Sequence, residues 1–320
     1  MRPRALFLVG PTGSGKTTIS IAIAKSLNCE VVSADSIQVY RGMDIGSAKP
    51  TDDEMAGIPH YMLDCVDIDD TAFSVAEYSR NALECIAYIE RREKLPLVVG
   101  GTGLYINSLT YPLNFSGVTP DPELRAMLLE SEGAQRGSLH ARLRALDPKS
   151  AARLHPNDTK RIVRALEICI LSGKPMSEQC DDFRNERGNQ SPCMPVMAGL
   201  TMSREMLYSR INERVETMLE RGLLDEVRGI MERGHSPKLP ALQALGYKQL
   251  IAHLNGEYDL PTAIELIKRE TRRFAKRQIT WFKRDTRIEW FDAGGGEASV
   301  AREITQYYEK RLAALKETRL

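Results

Sequence analysis

Residues 5–17 read ALFLVGPTGSGKT, and this stretch decides the fold. An apolar run, Ala5 to Val9, precedes a glycine-rich turn and a helical pattern from Thr17 to Leu27. The residues that match the phosphate-loop pattern G-x-x-x-x-G-K-[ST] are Gly10, Pro11, Thr12, Gly13, Ser14, Gly15, Lys16 and Thr17. In such a loop the backbone N–H groups, the helix N-terminus and the lysine bind phosphate, and the threonine hydroxyl can bind Mg²⁺. The sequence therefore predicts a diphosphate or polyphosphate site between a buried strand and a helix.

The pattern around the loop indicates an α/β protein. Short runs at Glu30 to Ser33, Leu95 to Val99 and Val196 to Leu200 predict further strands, and a helix is expected from Ser74 to Arg92. Strands alternating with helices, with largely apolar strands, are typical of a parallel sheet that is covered on both faces.

The pattern then changes, since residues 121–171 are helical throughout and residues 181–195 form a polar, mobile connection. We therefore predict a P-loop parallel-sheet core with a helical insertion domain. Residues 1–115 form the first part of the core, residues 116–194 the insertion, and residues 195–320, mostly helical, complete the core.

Composition excludes several classes of protein. The chain has 320 residues and a net charge of +1, so bulk charge does not bind it to nucleic acid, although a local basic patch still can. No apolar run approaches the roughly 18 residues needed to span a bilayer, and we expect a cytosolic chain. Its six cysteines lack the spacing of zinc ligands, so we expect ordinary thiols.

The carboxylates near the loop argue against a motor or a switch. ATPases and GTPases carry an acidic residue after a second apolar strand, where it organises Mg²⁺. Here the strand that ends at Val99 runs into Gly100-Gly101-Thr102-Gly103, which contains no carboxylate. Asp35, just beyond another strand, is the only carboxylate in a comparable place.

Six motifs, in order along the chain, together resemble one family. They are residues 10–17, residues 33–50 (SADSIQVYRGMDIGSAKP), residues 99–105 (VGGTGLY), residues 155–167 (HPND with Arg161 and RALE), residues 245–248 (LGYK) and residues 275–281 (AKRQITW). The chain resembles the bacterial tRNA dimethylallyltransferases from about residue 5 to 292. That resemblance implies transfer of a dimethylallyl group from dimethylallyl diphosphate to N6 of adenosine 37, beside the anticodon of certain tRNAs.

The resemblance also implies roles for single residues. Asp35 is the candidate general base that takes the proton of the adenine amine, with a magnesium ligand and a helix N-cap as alternatives. Lys16, Thr12, Thr102 and Mg²⁺, which Thr17 would bind, stabilise the departing diphosphate. Arg214 is expected to face the diphosphate, with an ordinary solvated arginine as the alternative.

The target adenine must leave the anticodon stack to reach a buried carboxylate, so a pocket near Asp35 is expected to receive it. The residues implied to contact the tRNA anticodon stem-loop are Asp35, Ser36, Ile37, Gln38, Thr102, Arg125, Lys160, Arg161, Ile162, Val163, Arg164, Gln243, Ala244, Leu245, Gly246, Tyr247, Lys248, Lys276, Arg277, Gln278, Ile279, Thr280, Trp281, Phe282 and Lys283.

A basic helix is predicted from Ile264 to Asp285. Its apolar stripe is expected to contain Ile264, Ile267, Thr271, Phe274, Gln278 and Trp281. The basic residues that flank the stripe are Lys268, Arg269, Arg272, Arg273, Lys276, Arg277, Lys283 and Arg284. Such a concentration in a nearly neutral chain is typical of a surface that binds an RNA backbone, although a solvated helix face gives the same pattern.

Three other functions remain open on the residues alone: a P-loop kinase for a nucleotide or small molecule, a prenyltransferase of free adenine nucleotides, and a non-catalytic RNA-binding module. The kinase predicts ATP turnover. The insertion and the basic helix argue against a free nucleotide as acceptor, and the intact Lys16, Thr17 and Asp35 argue against a relic loop. A monomer is expected, because no sustained heptad repeat is present.

Overall fold

The computed structural model describes residues 3–113, 117–179 and 191–317. Two compact units divide the chain: the first contains residues 1–110 and 192–320, the second residues 111–191. The predicted boundary after residue 115 lies outside the described residues, as do residues 181–190 of the predicted polar connection. The other boundary, after residue 194, falls inside a strand that begins at Met194.

A six-stranded sheet of entirely parallel strands forms the centre of the first unit. Its strands are β1 (Arg4–Val9), β2 (Cys29–Ser33), β3 (His60–Tyr61), β4 (Leu95–Gly100), β5 (Met194–Thr201) and β6 (Ile288–Asp292). They lie in the order β3-β2-β4-β1-β5-β6, and every neighbouring pair is parallel. The predicted fold class is confirmed.

Two strands were not predicted. β3 has only two residues, too few for a pattern, and β6 lies in a segment that we expected to be mostly helical. β6 pairs along its length with β5, from Met197 with Ile288 to Thr201 with Asp292. That pairing supplies its backbone hydrogen bonds, so tertiary context rather than local pattern makes it a strand.

Helices cover both faces of the sheet. In the first unit they are α1 (Lys16–Leu27), α2 (Asp52–Met55), α3 (Val75–Arg91), α4 (Gly103–Thr110), α10 (Arg204–Glu220), α11 (Leu223–Glu232), α12 (Tyr247–Leu254), α13 (Leu260–Phe282) and α14 (Glu297–Glu317). Alternate residues of β1 enter two cores: Phe7 and Val9 join α3, α11, α12 and α13, while Leu6 and Leu8 join α1 and α14. The sheet is therefore buried on both sides, which explains its apolar strands.

The helices begin and end at residues with a local reason to do so. Ser74 caps α3 through a reciprocal pair with Glu77, and Asn28 ends α1 in the left-handed region, with φ 55°. α13 begins at Leu260, four residues before the predicted start, with Asp259 as its cap and Pro261 in its first turn. α13 ends at Phe282, so the predicted extension to Asp285 is wrong.

The second unit is a small helical bundle. Its helices are α5 (Pro122–Ala134), α6 (Ser138–Leu146), α7 (Pro148–Arg153), α8 (Thr159–Ser172) and α9 (Met176–Gln179). Leu128, Leu139, Leu143, Ile162 and Leu166 form its core. The helical character predicted for residues 121–171 is confirmed. Among the described residues of both units, no helix combines the length and the apolar composition that crossing a membrane requires.

Candidate active site

The loop between β1 and α1 has the geometry of a phosphate cradle. Gly13 and Gly15 have φ 81° and 82°, in the left-handed region that strains residues with a side chain, so these positions need glycine. The Lys16 ammonium donates to the carbonyls of Gly10 at 3.1 Å and Pro11 at 2.8 Å. An ammonium has three donors, so one remains for an anion. The Thr12 amide donates to the Gln278 side chain at 2.8 Å, so Thr12 can reach a diphosphate through its hydroxyl but not through its amide.

Asp35 follows β2 at the same edge of the sheet as the loop. Its Oδ1 accepts hydrogen bonds from the amides of Ile37 at 2.9 Å and Gln38 at 3.4 Å, and so caps the turn that follows. The capping role considered for Asp35 therefore exists, although the capped segment is a turn rather than a helix. The described residues provide no hydrogen-bond donor to Oδ2. One oxygen fixes the side chain and the other is left for a substrate.

Thr102 connects the loop after β4 to the Asp35 turn. Its hydroxyl accepts from the Ser36 amide at 3.0 Å, and its own amide donates to the Ala34 carbonyl at 3.1 Å. A Cβ on Gly100 would lie 2.2 Å from that Ala34 oxygen, so glycine is required for this approach. Gly100 therefore serves close packing, and the Thr102 hydroxyl, which we expected to stabilise the departing diphosphate, is bonded to Ser36.

Positive charge surrounds Asp35. Burial, followed by the charge of Arg214, lowers the pKa of Lys16 from 10.5 to about 8, and Asp35 opposes that shift. Burial also lowers the pKa of Arg214, again opposed by Asp35. Among the described residues, no carboxylate forms an ion pair with Arg214. Glu54 is a second carboxylate that opposes the shift of Arg214. Neither Lys16 nor Arg214 forms an ion pair among the described residues, so both can bind a negatively charged ligand.

The residues beside the loop fit a magnesium ion. Thr17 and Asp35 line one cleft with Ser20, Ser33, Gln38 and His60. Mg²⁺ takes oxygen ligands, and proteins usually supply only one or two of them beside substrate phosphate and water. A threonine hydroxyl and a carboxylate oxygen suit that requirement. No group of three or more His, Cys, Asp or Glu side chains in the described parts of the chain could hold a metal.

Comparisons with known proteins agree with this site. The profile of the family described as IPP transferase matches residues 38–285. The chain belongs to the IPP transferase family. It is 47% identical over 313 residues to the tRNA dimethylallyltransferase of Desulforudis audaxviator, covering 96% of this chain and 98% of that protein.

Solved structures show the same fold. The full-length tRNA isopentenylpyrophosphate transferase of Bacillus halodurans superposes with a TM-score of 0.75 at 40% identity, covering 99% of each chain. A eukaryotic dimethylallyltransferase acting on tRNA superposes with a TM-score of 0.76 at 30% identity, covering 91% of this chain and 74% of that one.

The predicted basic helix is α13, and it offers fewer unpaired cations than the sequence suggests. Among its cations, Lys268 pairs with Glu216 and Glu265, Arg269 and Arg273 pair with Glu270, and Arg272 donates to Asn212 at 2.6 Å. Lys276, Arg277, Lys283 and Arg284 are exposed and form no ion pair within the described chain. These four are the cations left for an RNA backbone.

The inner face of α13 differs from the predicted stripe. Ala263, Ile267, Ala275, Gln278 and Phe282 are buried, whereas Phe274 and Trp281 are only half-buried. Gln278 was expected to contact tRNA, but its amide is buried between Thr12 and Gly101. Spacing alone could not find this role, because the partners are 266 and 177 residues away.

Other side chains expected to contact tRNA are also buried or occupied. Tyr247 is fully buried and donates to Glu226 at 2.7 Å, and Phe282, Ile162 and Val163 lie in the cores. The Gln38 amide accepts from Ser33 at 2.9 Å and donates to the Ala48 carbonyl at 3.1 Å. The prediction that these side chains contact tRNA directly is therefore wrong for the conformation seen here.

Two arginines of the second unit serve its own stability. Arg125 binds the buried carboxylate of Glu167 through two nitrogens, each at 2.8 Å, and Arg164 pairs with the same carboxylate. Removing either arginine would leave a buried charge with one partner fewer, which is strongly destabilising. Lys160 and Arg161, both exposed at the start of α8, remain as cations for RNA. Arg161 pairs with Asp158 at 3.2 Å, but an exposed ion pair of this kind is weak.

His60 was missed by sequence reasoning. It lines the cleft beside Lys16, and its Nδ1 lies 2.8 Å from the Ile58 carbonyl. Burial lowers its pKa, so the ring is neutral at pH 7 and donates from Nδ1. A lone histidine in a two-residue strand carries no pattern that would have revealed it.

Proposed function

We propose that this chain transfers the dimethylallyl group of dimethylallyl diphosphate to N6 of adenosine 37 in tRNA. The observation that carries the proposal is the cleft that Lys16 and Asp35 line, in which one Asp35 oxygen has no donor among the described residues and the charge of Arg214 acts on Lys16 and is itself opposed by Asp35. A diphosphate matches the cations and an adenine amine matches the carboxylate. The tRNA dimethylallyltransferases that are 47% and 49% identical to this chain support the same assignment.

The reaction uses each group once. The bond between C1 of the allyl group and the diphosphate oxygen breaks, and a bond between C1 and N6 forms. Asp35 Oδ2 accepts the proton that N6 releases, because the amine lone pair is delocalised and needs a base. Lys16, Arg214, the Thr12 hydroxyl and the loop amides that remain free stabilise the negative charge on the leaving diphosphate. Thr102 holds the Asp35 turn in position.

Magnesium is part of the proposal. Thr17 would hold the ion through its hydroxyl, and substrate diphosphate and water would supply the other oxygen ligands. When bound, Mg²⁺ supplies charge neutralisation for the diphosphate. A titration of inorganic diphosphate against Mg²⁺, with Thr17→Val as the variant, tests this assignment.

Exposed cations are the proposed tRNA contacts. We assign Lys276 and Arg277 of α13 and Lys283 directly after it, with Lys160 and Arg161 of α8, to the phosphate backbone of the anticodon stem-loop. Adenosine 37 would be turned out of the stack toward Asp35. We further propose that the protein acts in the cytoplasm as a monomer, since its sequence carries no sustained heptad repeat.

The test is nucleoside mass spectrometry of tRNA incubated with enzyme, Mg²⁺ and dimethylallyl diphosphate. We expect N6-dimethylallyladenosine at position 37 from the wild type. A substitution of adenosine 37 by guanosine in the same tRNA is the matched control and should remain unmodified. Modified free AMP with unmodified tRNA would favour a nucleotide prenyltransferase, and ATP hydrolysis stimulated by an acceptor would favour a kinase.

A further inference from the structure

Gln278 joins the two loops of the candidate active site. Its Oε1 accepts from the Thr12 amide at 2.8 Å, in the phosphate loop. Its Nε2 donates to the Gly101 carbonyl at 3.0 Å, in the loop after β4. The side chain is 6% exposed, so both bonds are shielded from water. A buried amide is costly unless its donors and acceptors are satisfied, and here each bond satisfies a loop backbone group.

The neighbouring residues are shaped for this contact. A Cβ on Gly101 would lie 2.2 Å from Nε2 of Gln278, so glycine is needed for the amide to reach the carbonyl. One turn further along α13, the Trp281 indole would lie 2.3 Å from a Cβ on Gly103. α13 therefore contacts the loop after β4 through Gln278 and the first residue of α4 through Trp281.

The same turns of α13 carry the exposed cations. Lys276 and Arg277 are exposed, as is Lys283 directly after the helix, whereas Gln278 and Phe282 are buried. RNA phosphates bound to the outer face would shift the helix as a rigid body, and its inner face contacts the phosphate loop through Gln278. Thr102, next to Gly101, extends the connection to Ser36 beside Asp35.

We propose that Gln278 is a positioning residue that couples tRNA binding on α13 to diphosphate binding by the phosphate loop. This inference rests on the proposed function, since it requires both ligands. Coupling means that each ligand tightens the binding of the other by the same factor. Gln278 transmits the coupling because its two hydrogen bonds make Thr12 and the loop that contains Gly101 move together with α13.

The experiment measures the dissociation constant of dimethylallyl S-thiolodiphosphate, an unreactive analogue, with and without saturating anticodon stem-loop RNA. We expect RNA to tighten analogue binding at least about fivefold in the wild type, within the usual range of coupling between sites. In Gln278→Leu, which loses both bonds, the ratio should fall to about one. In Gln278→Glu, which keeps the acceptor for Thr12, it should be intermediate.

Ile267→Val is the matched control, because it removes a buried methyl group from the same helix and leaves the loops untouched. It should keep the wild-type ratio. A merely structural role for Gln278 would lower both affinities or the melting temperature and leave the ratio unchanged, which would overturn the proposal. A wild-type ratio of one would overturn it as well.

The two proposals fail in distinguishable ways. If the wild type binds RNA and modifies adenosine 37 but Gln278→Leu retains the ratio, only the coupling is wrong. If the wild type neither binds the RNA nor modifies it, the proposed function falls and the coupling falls with it. If both Gln278 variants fail to fold, Gln278 is a determinant of folding, and the assignment as a positioning residue is rejected.

Discussion

At the scale of single residues, the two carboxylate oxygens of Asp35 have different roles. Oδ1 caps the following turn, and Oδ2 is left for the adenine amine. Asp35→Asn preserves an acceptor for the cap and removes the base. We expect the folded state, diphosphate binding and tRNA binding to persist while the single-turnover rate falls by roughly a hundredfold or more. A single-turnover rate near that of the wild type would show that another group accepts the proton.

Lys16 makes diphosphate binding depend on pH. Its pKa is lowered from 10.5 to about 8, chiefly by burial. The side chain is therefore positively charged below about pH 8 and loses that charge above it. The association constant for dimethylallyl S-thiolodiphosphate should therefore be flat from pH 7 to about 8 and then fall about tenfold per unit, because only the charged form binds the anion.

The control for this pH dependence is Lys16→Met. This variant should bind the analogue weakly at every pH and lack the decline above pH 8. Isothermal titration from pH 7 to 9.5 measures both profiles. A wild-type profile that remains flat to pH 9.5 would mean that Lys16 keeps an ordinary pKa or does not contact the diphosphate.

At the scale of elements, the cations of α13 and of the two residues after it form a paired set and an unpaired set. Neutralising the unpaired set, Lys276, Arg277, Lys283 and Arg284, to Gln should weaken tRNA binding and reduce its salt dependence. Each lost phosphate contact lowers the slope of log affinity against log salt by about 0.7–0.9. Arg272 and Arg273, which the sequence placed in the same surface, are held by Asn212 and Glu270 and leave this set.

The paired cations give the matched control. Neutralising Lys268, Arg269 and Arg273 removes three charges from the same helix, but their partners are the carboxylates of Glu216, Glu265 and Glu270. The slope should then change little. If both sets lower the slope equally, tRNA binding follows overall charge and the unpaired surface has no special role.

The elements also show what a sequence can reveal. The phosphate loop, β1, β4 and α3 follow local patterns, and each was predicted to within two residues. β3 and β6 depend on neighbouring strands, and β6 takes its hydrogen bonds from β5, 87 or more residues earlier in the chain. Gln278 likewise looked like part of an RNA-binding motif, because a helical stripe does not reveal which distant backbone groups it will meet.

At the scale of the whole molecule, separate sequence motifs stabilise one another. Glu226 accepts from the amides of Asp44 at 2.9 Å, Ile45 at 2.7 Å and Gly46 at 3.1 Å, and from the Tyr247 hydroxyl at 2.7 Å. A Cβ on Gly46 would lie 2.5 Å from the Tyr247 ring. The motif of residues 33–50 and the motif of residues 245–248 are thus linked by the carboxylate of Glu226, which belongs to neither motif.

This contact predicts which substitutions change stability without changing RNA binding. Gly46→Ala forces a methyl group against a buried ring and should lower the free energy of unfolding by about 1–3 kcal/mol. Tyr247→Phe removes one of four hydrogen bonds to Glu226 and should cost about 1 kcal/mol. Gly229→Ala is the control in the same unit: it lies inside α11, where a Cβ would meet only the end of Arg233 at 3.6 Å, so it should stabilise by about 0.5–1 kcal/mol.

Urea unfolding measures the three free energies, and a salt titration measures tRNA affinity for the folded variants. Because Tyr247 is fully buried, Tyr247→Phe should retain wild-type affinity for the stem-loop at every salt concentration. A clear loss of affinity with an unchanged free energy of unfolding would return Tyr247 to the tRNA surface that its motif suggested. That outcome would require the residues around Gly46 to open when RNA binds, since the ring cannot otherwise leave the core.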